Sequence, residues 1–298
     1  MTTDSSSHGI APSGFRLPPE THIGVVRLQV SDLARSLAYY ERVLGFRTLN
    51  RSGGTATLGA VDADTAILEL REKPGALPVP RRGRLGLFHF AILLPDRASL
   101  ARFLAHLGEI GAYAGMSDHL VSEALYLSDP DGLGIEVYAD RPRAEWRYED
   151  RQLVMSTLPL DTESLLAAGG NTRWVGMPNG TTIGHVHLHV GDLDEGAAFY
   201  HEALGFDKVV WGYPGALFMS VGGYHHHLGT NTWAAGAPSA TDDDARLIDW
   251  DLVLPDAASV AAAAASVEAA GGRTERLPNG AVLARDPWGT AVRLVATE

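Results

Sequence analysis

The chain contains no cysteine. Disulfides, thiolate metal sites and cysteine nucleophiles are therefore excluded, and the lack of thiols fits a reducing, cytoplasmic setting. Positive charge is scarce as well: 24 lysines and arginines against 36 aspartates and glutamates give a formal net charge of −12 in 298 residues. No basic run interrupts this acidic balance, which argues against nucleic acid or an anionic membrane as a partner. Nor does any apolar stretch reach the roughly 18 residues that a membrane helix needs. Residues 1–22 are rich in Ser, Pro and Gly without an apolar segment, so they read as a disordered tail and not as a signal peptide. The remainder of a chain that is 45% hydrophobic and 20% charged can bury a core and form two domains.

Histidine is where the chain is unusual. In Gly184-His185-Val186-His187-Leu188-His189-Val190 the imidazoles alternate with apolar residues. A strand sends successive side chains to opposite faces, so His185, His187 and His189 share one face and Val186, Leu188 and Val190 the other. The apolar face suits burial against a helix. The imidazole face suits a metal, proton transfer or a polar substrate. A second cluster, His225-His226-His227, follows in the same part of the chain.

The histidine strand is one copy of a repeat. It runs into Asp192-Leu193, an amphipathic stretch and the stop Gly205-Phe206; earlier, Val25 to Val30 runs into Asp32-Leu33, a similar stretch and Gly45-Phe46. Each reads as strand, Asp helix start, helix and glycine stop. Weaker copies begin at His89 and Asp249 and carry the later turns Asp129-Pro130-Asp131-Gly132 and Asp286-Pro287-Trp288-Gly289, each followed by an apolar strand. With three strand-like stretches after each helix, the unit is βαβββ, and four such units lie near residues 23–72, 86–140, 183–234 and 246–297. The connector 141–182 mixes charge, Pro and Gly around a short apolar helix and forms the natural boundary between an N-terminal pair, 23–140, and a C-terminal pair, 183–298.

Tandem βαβββ units with a first-strand His, an Asp-Leu helix start, a Gly-Phe stop and a closing Asp-Pro turn resemble the vicinal oxygen chelate superfamily, which includes glyoxalases, bleomycin-binding proteins and extradiol catechol dioxygenases. The resemblance covers nearly everything from Ile23 onward. It implies an α+β fold in which paired modules form two half-barrel cups, with metal ligands on the first and last strands of each module. The first-strand positions are Val25, His89, His185 and Asp249; the last-strand positions are Glu69, Glu136, the run His225–His227 and Arg293. Val25 cannot ligate and Arg293 would repel a metal, so the outer modules are poor in ligands.

His89, His185 and Glu136 together make two imidazoles and a carboxylate, the facial set of non-haem Fe(II) enzymes, with Mn(II) as a second fit. If this set forms, the second and third modules share a cup, or their sites meet across a domain or subunit interface. Consecutive pairing instead offers Glu69, His89 and Glu136 in one half, and His185, a His of 225–227 and Asp249 in the other. The resemblance to extradiol catechol 2,3-dioxygenases further implies ring opening of a small aromatic diol by O₂. In that reading Tyr126, ten residues before Glu136, steadies the substrate oxygen, His226 gives and takes protons, and His119 contacts substrate. His187, His225 and His227 line the ring pocket, with the choice within 225–227 dependent on register. A glyoxalase-like lyase or isomerase, which would use a fourth protein ligand, and a binder of small aromatic molecules are the alternatives. A homo-oligomer is compatible with the composition.

Overall fold

The computed structural model describes residues 8–297. Four helices begin on the aspartates picked out by the repeat. Asp32, Asp96 and Asp256 accept hydrogen bonds from the backbone N–H of Arg35, Ser99 and Ser259, and Asp192 accepts from both Asp194 and Glu195. Each carboxylate satisfies donors that the first helical turn leaves open. The helices so started are Leu33–Arg42, Arg97–Ile110, Leu193–Ala197 and Ala257–Ala269; the third continues as a π-helical turn, Ala198–Ala203. None is long and apolar enough to cross a membrane.

Two eight-stranded half-barrels hold the modules, and each draws one module from either side of the connector. In the first, the third module (Asp207–Val210, Ala216–Ser220, Leu228–Asn231, Thr182–His189) meets the second (Gly86–Leu93, Gly134–Asp140, Ser122–Ser128, Gly115–Asp118). The seam is the antiparallel pair Thr182–His189 with Gly86–Leu93. In the second, His22–Val30 pairs antiparallel with Arg246–Leu254, joining the first module to the fourth. The sheets therefore do not follow the chain-order pairs 23–140 and 183–298. What those consecutive pairs share is helix-to-turn contact: the Tyr40 hydroxyl donates to Asp129 at 3.3 Å and the Tyr200 hydroxyl to Asp286 at 3.0 Å.

Alternation along the seam strands divides the molecule. Phe90, Ile92, Val186 and Leu188 are fully buried in one core shared with the helices, whereas His89, His185 and His187 face the opposite way, into the cup.

Within residues 1–22, the first seven lie outside the described residues, and the rest departs from the expected disordered tail. Ile10 and Lys208 exchange backbone hydrogen bonds at 2.9 Å, Arg16 pairs with Asp207 at 2.6 Å, and Leu17 is 3% exposed. Ile10, Phe15 and Leu17 are spaced too widely to register as an apolar segment, yet Phe15 and Leu17 pack on the core.

Candidate metal centre

The site begins at Gly184. A Cβ there would lie 1.8 Å from the Tyr138 hydroxyl, so no side chain fits where the strand passes that ring. The pairing with Gly86–Leu93 shifts register between Ile183 and His185, and such an irregularity re-aims the side chain that follows it. Glu136 arrives from Gly134–Asp140, whose parallel register places it opposite Ala91.

Three donor atoms converge. Glu136 Oε2 lies 2.9 Å from His89 Nε2 and 3.1 Å from His185 Nε2, and the two nitrogens are 3.4 Å apart. Among the described residues this is the one group of three or more His, Asp or Glu whose donor atoms lie within mutual reach of a metal ion. Donors on one octahedral face, with bonds of about 2.1 Å, stand about 3.0 Å from one another, so the triangle has the size that a facial triad requires. Two imidazoles and a carboxylate suit Fe(II) or Mn(II), and the donor set therefore fits the metal that the fold implies. All three residues are buried.

Protonation states suit ligation. Burial would raise the Glu136 carboxyl, but His185 and His89 hold it well below the usual range. Burial drives His185 down to about 4 against the pull of Glu136, leaving a neutral imidazole. A metal requires this combination, ionised carboxylate and bare nitrogen. His185 Nδ1 has no hydrogen-bond partner among the described residues, so its ring is held by packing, with His226 at 4.0 Å and Tyr138 at 5.0 Å between ring centroids.

The triad lies in the wall of a cavity of about 270 Å³. Phe88, His187, Phe218 and Trp233 form an aromatic side, and Met155, Ser156 and Thr157 cover it from the connector. Thr157 and Tyr213 bond through their hydroxyls at 2.9 Å, tying that cover to the opposite wall. His119 Nδ1 lies 2.7 Å from the Ser156 carbonyl, which can only accept, so this nitrogen carries the proton. Its Nε2 then accepts from the Tyr126 hydroxyl at 2.6 Å, which leaves the Tyr126 oxygen lone pairs for the cavity. Burial, reinforced by Glu136, pushes the Tyr126 phenol well above its ordinary value.

His226 also lines this cavity, and burial with the neighbouring His185 and His225 keeps it neutral. His225 and His227, expected at the substrate, are elsewhere. His225 is fully buried against Asp140, and His227 faces Ser220 Oγ at 3.1 Å; neither lines the cavity. The run lies in the loop before Leu228–Asn231, and the last-strand slot assigned to it belongs to Gly229, which pairs with His187.

Comparison with known proteins agrees with this architecture. The model of the Glyoxalase/Bleomycin resistance protein/Dioxygenase superfamily matches residues 22–137 and 182–294. This chain belongs to that superfamily. It is 48% identical over 264 residues to a protein named catechol-2,3-dioxygenase from Bacillus subtilis (strain 168), a match covering 87% of this chain and 92% of the relative. Among solved structures it resembles a Bacillus subtilis subsp. subtilis str. 168 protein named as a dioxygenase, at TM-score 0.65, with 12% identity and 95% and 86% of the two chains covered. Glyoxalase I from Zea mays superposes at TM-score 0.51 with 18% identity over 93% and 92%. At these identities the two structures speak for the fold alone.

The superfamily's repeat makes the second cup an internal control. There Val25, Asp249 and Arg293 replace His185, His89 and Glu136. Arg27, equivalent to His187, reaches Asp249 at 2.8 Å, Asp251 at 2.6 Å and Glu69 at 3.5 Å, while Arg293 lies 3.3 Å from Asp249. Cation–carboxylate pairs fill the place that the triad holds in the first cup. The expected metal slots thus carry opposite chemistry in the two halves. Of the aromatic wall, sequence reasoning found His187 and missed Phe88, Phe218 and Trp233; it also missed the cover at 155–157 and Asp140, whose side chains carry no motif.

Proposed function

We propose that this chain is an extradiol ring-cleaving dioxygenase, opening a catechol-type diol with O₂ at a non-haem Fe(II), with Mn(II) as the alternative ion. The observation that carries the reading is the His89–Glu136–His185 triangle, 2.9 to 3.4 Å on its edges, set in the wall of an aromatic cavity. The name of the Bacillus subtilis relative supports it. When bound, such a metal supplies open coordination positions and redox chemistry that bring diol and O₂ together.

The protein's own residues do the rest. Phe88, Phe218, Trp233 and His187 pack along the ring and exclude water. His226 Nε2 takes a hydroxyl proton from the diol and returns it when the ring opens. Tyr126, its own proton committed to His119, accepts a hydrogen bond from the substrate's oxygen substituents. His119 thus acts on substrate through Tyr126. The glyoxalase-like alternative wants a fourth protein ligand, and His225, His226 and His227 are absent from the described donor cluster.

The test pairs metal analysis with oxygen uptake after anaerobic Fe(II) loading. Tight iron binding with catechol-dependent oxygen consumption is expected, and Glu136→Gln should lose both. Iron binding without oxygen consumption across several catechols would refute the proposed activity.

A further inference from the structure

The strand that delivers Glu136 continues, two residues at a time on the same face, to Tyr138 and Asp140. Asp140 Oδ1 lies 2.9 Å from His225 Nε2, and His225 Nδ1 lies 2.7 Å from His226 Nδ1. The same carboxylate oxygen accepts from the Tyr224 hydroxyl at 3.1 Å, and Tyr138 and Tyr224 bond through their hydroxyls at 2.6 Å. One surface-reaching carboxylate, 29% exposed at its side chain, therefore anchors two chains of contacts. One ends at His226 in the cavity, and the other ends at Tyr138, whose ring packs against His185.

Hydrogen-bond polarity propagates along the first chain. An ionised carboxylate can only accept, so His225 carries its proton on Nε2. With one proton, on Nε2, His225 offers a lone pair at Nδ1, to which His226 can donate from its own Nδ1. That leaves His226 Nε2 bare, with no protein hydrogen-bond partner among the described residues, and His226 lines the cavity. We propose that Asp140 is a positioning residue: acting through His225, it holds His226 as the Nδ1–H tautomer with the Nε2 lone pair turned to the substrate.

The geometry stands by itself; its catalytic meaning rests on the ring-cleavage reading. In that reaction the diol's O–H bond breaks and an Nε2–H bond forms on His226, and the same proton later passes to the oxygen of the opened ring. Only the bare-Nε2 tautomer can make the first move. Without Asp140, His225 is free to exchange its protonated nitrogen, and His226 loses its preference.

The experiment reads the tautomer directly, by long-range ¹H–¹⁵N spectra of histidine-labelled protein loaded with diamagnetic Zn(II), with His226 assigned through H226Q. A protonated Nδ1 and a bare Nε2 are expected in the wild type, and a mixture in Asp140→Ala. In the Fe(II) enzyme, D140A should lower kcat about 10- to 100-fold with KM within about twofold, and D140E should recover much of the loss. A wild-type His226 protonated on Nε2, or a D140A protein with unchanged tautomer and kcat, would overturn the proposal. If D140A does not fold, the wild-type spectrum decides. Wild-type protein that consumes no oxygen with any catechol would instead refute the ring-cleavage reading, a separate result.

Discussion

His89 and His187 are Cα partners across the antiparallel seam, but only His89 reaches Glu136. His187 accepts a hydrogen bond from Asn231 Nδ2 at 3.0 Å, and its ring lies over Gly229, where a Cβ would come within 2.9 Å of it. Two imidazoles at one level of a sheet thus divide into a member of the His89–Glu136–His185 cluster and a wall of the cavity. The difference comes from the strands that flank them, Gly134–Asp140 with its carboxylate and Leu228–Asn231 with its glycine.

Gly184→Ala should damage the metal centre without removing a ligand. The new methyl group has to displace the Tyr138 hydroxyl or the strand, and His185 is the next residue. A loss of about 10- to 100-fold in metal affinity is expected, in line with disturbed support of a ligand. Metal titration of the folded variant checks it, and wild-type affinity would contradict it.

Arg27→Met should destabilise the protein and spare the metal centre. Removing the guanidinium strands Asp249 and Asp251, 3% and 6% exposed, with Arg293 as the one cation left in reach among the described residues. Breaking a buried pair in this way costs about 3–5 kcal/mol. Denaturant unfolding should show the loss, while the folded fraction binds metal with unchanged stoichiometry.

Burial, with Asp131 adding to it, pushes the Asp129 carboxyl up to about 7, although the backbone N–H groups of Asp131 and Leu133 both donate to it. The folded value exceeds the unfolded one, about 3.9, so the folded state binds the proton more tightly. This contribution to stability is fully present below about pH 4 and is lost as pH rises through about 7, an effect of up to about 4 kcal/mol. Asp129→Asn keeps an acceptor for both N–H groups and removes the titration. The variant should therefore gain on the wild type between pH 5 and pH 8 in denaturant unfolding; parallel pH profiles would contradict this.

Substituent charge should decide substrate preference. No lysine or arginine lines the cavity among the described residues, and one side of it is aromatic. A carboxylate on the ring would lose its hydration there without a partner. Catechol and alkylcatechols should exceed 3,4-dihydroxyphenylacetate in kcat/KM by at least about tenfold, which corresponds to about 1.4 kcal/mol. Equal values would show that an anion finds a partner in the site.

Much of this was legible in the chain, and for physical reasons. The four capping aspartates announce themselves because a helix start is a local event. The triad was legible because repeats make slots comparable, and His89, His185 and Glu136 occupy them while Val25 and Arg293 do not. That contrast also pointed to the second and third modules sharing a cup, as they do. The run His225–His227 was harder: alternation holds only inside a strand, and these residues precede one. The cover at Met155–Thr157 and the packing of Phe15 and Leu17 depend on tertiary contacts with no local pattern.

The most direct test of the central claim is the product of a single turnover. Protein loaded anaerobically with Fe(II), mixed with one equivalent of catechol and then exposed to O₂, should consume one equivalent of oxygen and yield the yellow 2-hydroxymuconic semialdehyde, and Glu136→Gln should not. No oxygen uptake, or cleavage between the two hydroxyl-bearing carbons to colourless muconate, would contradict extradiol chemistry at the His89–Glu136–His185 centre.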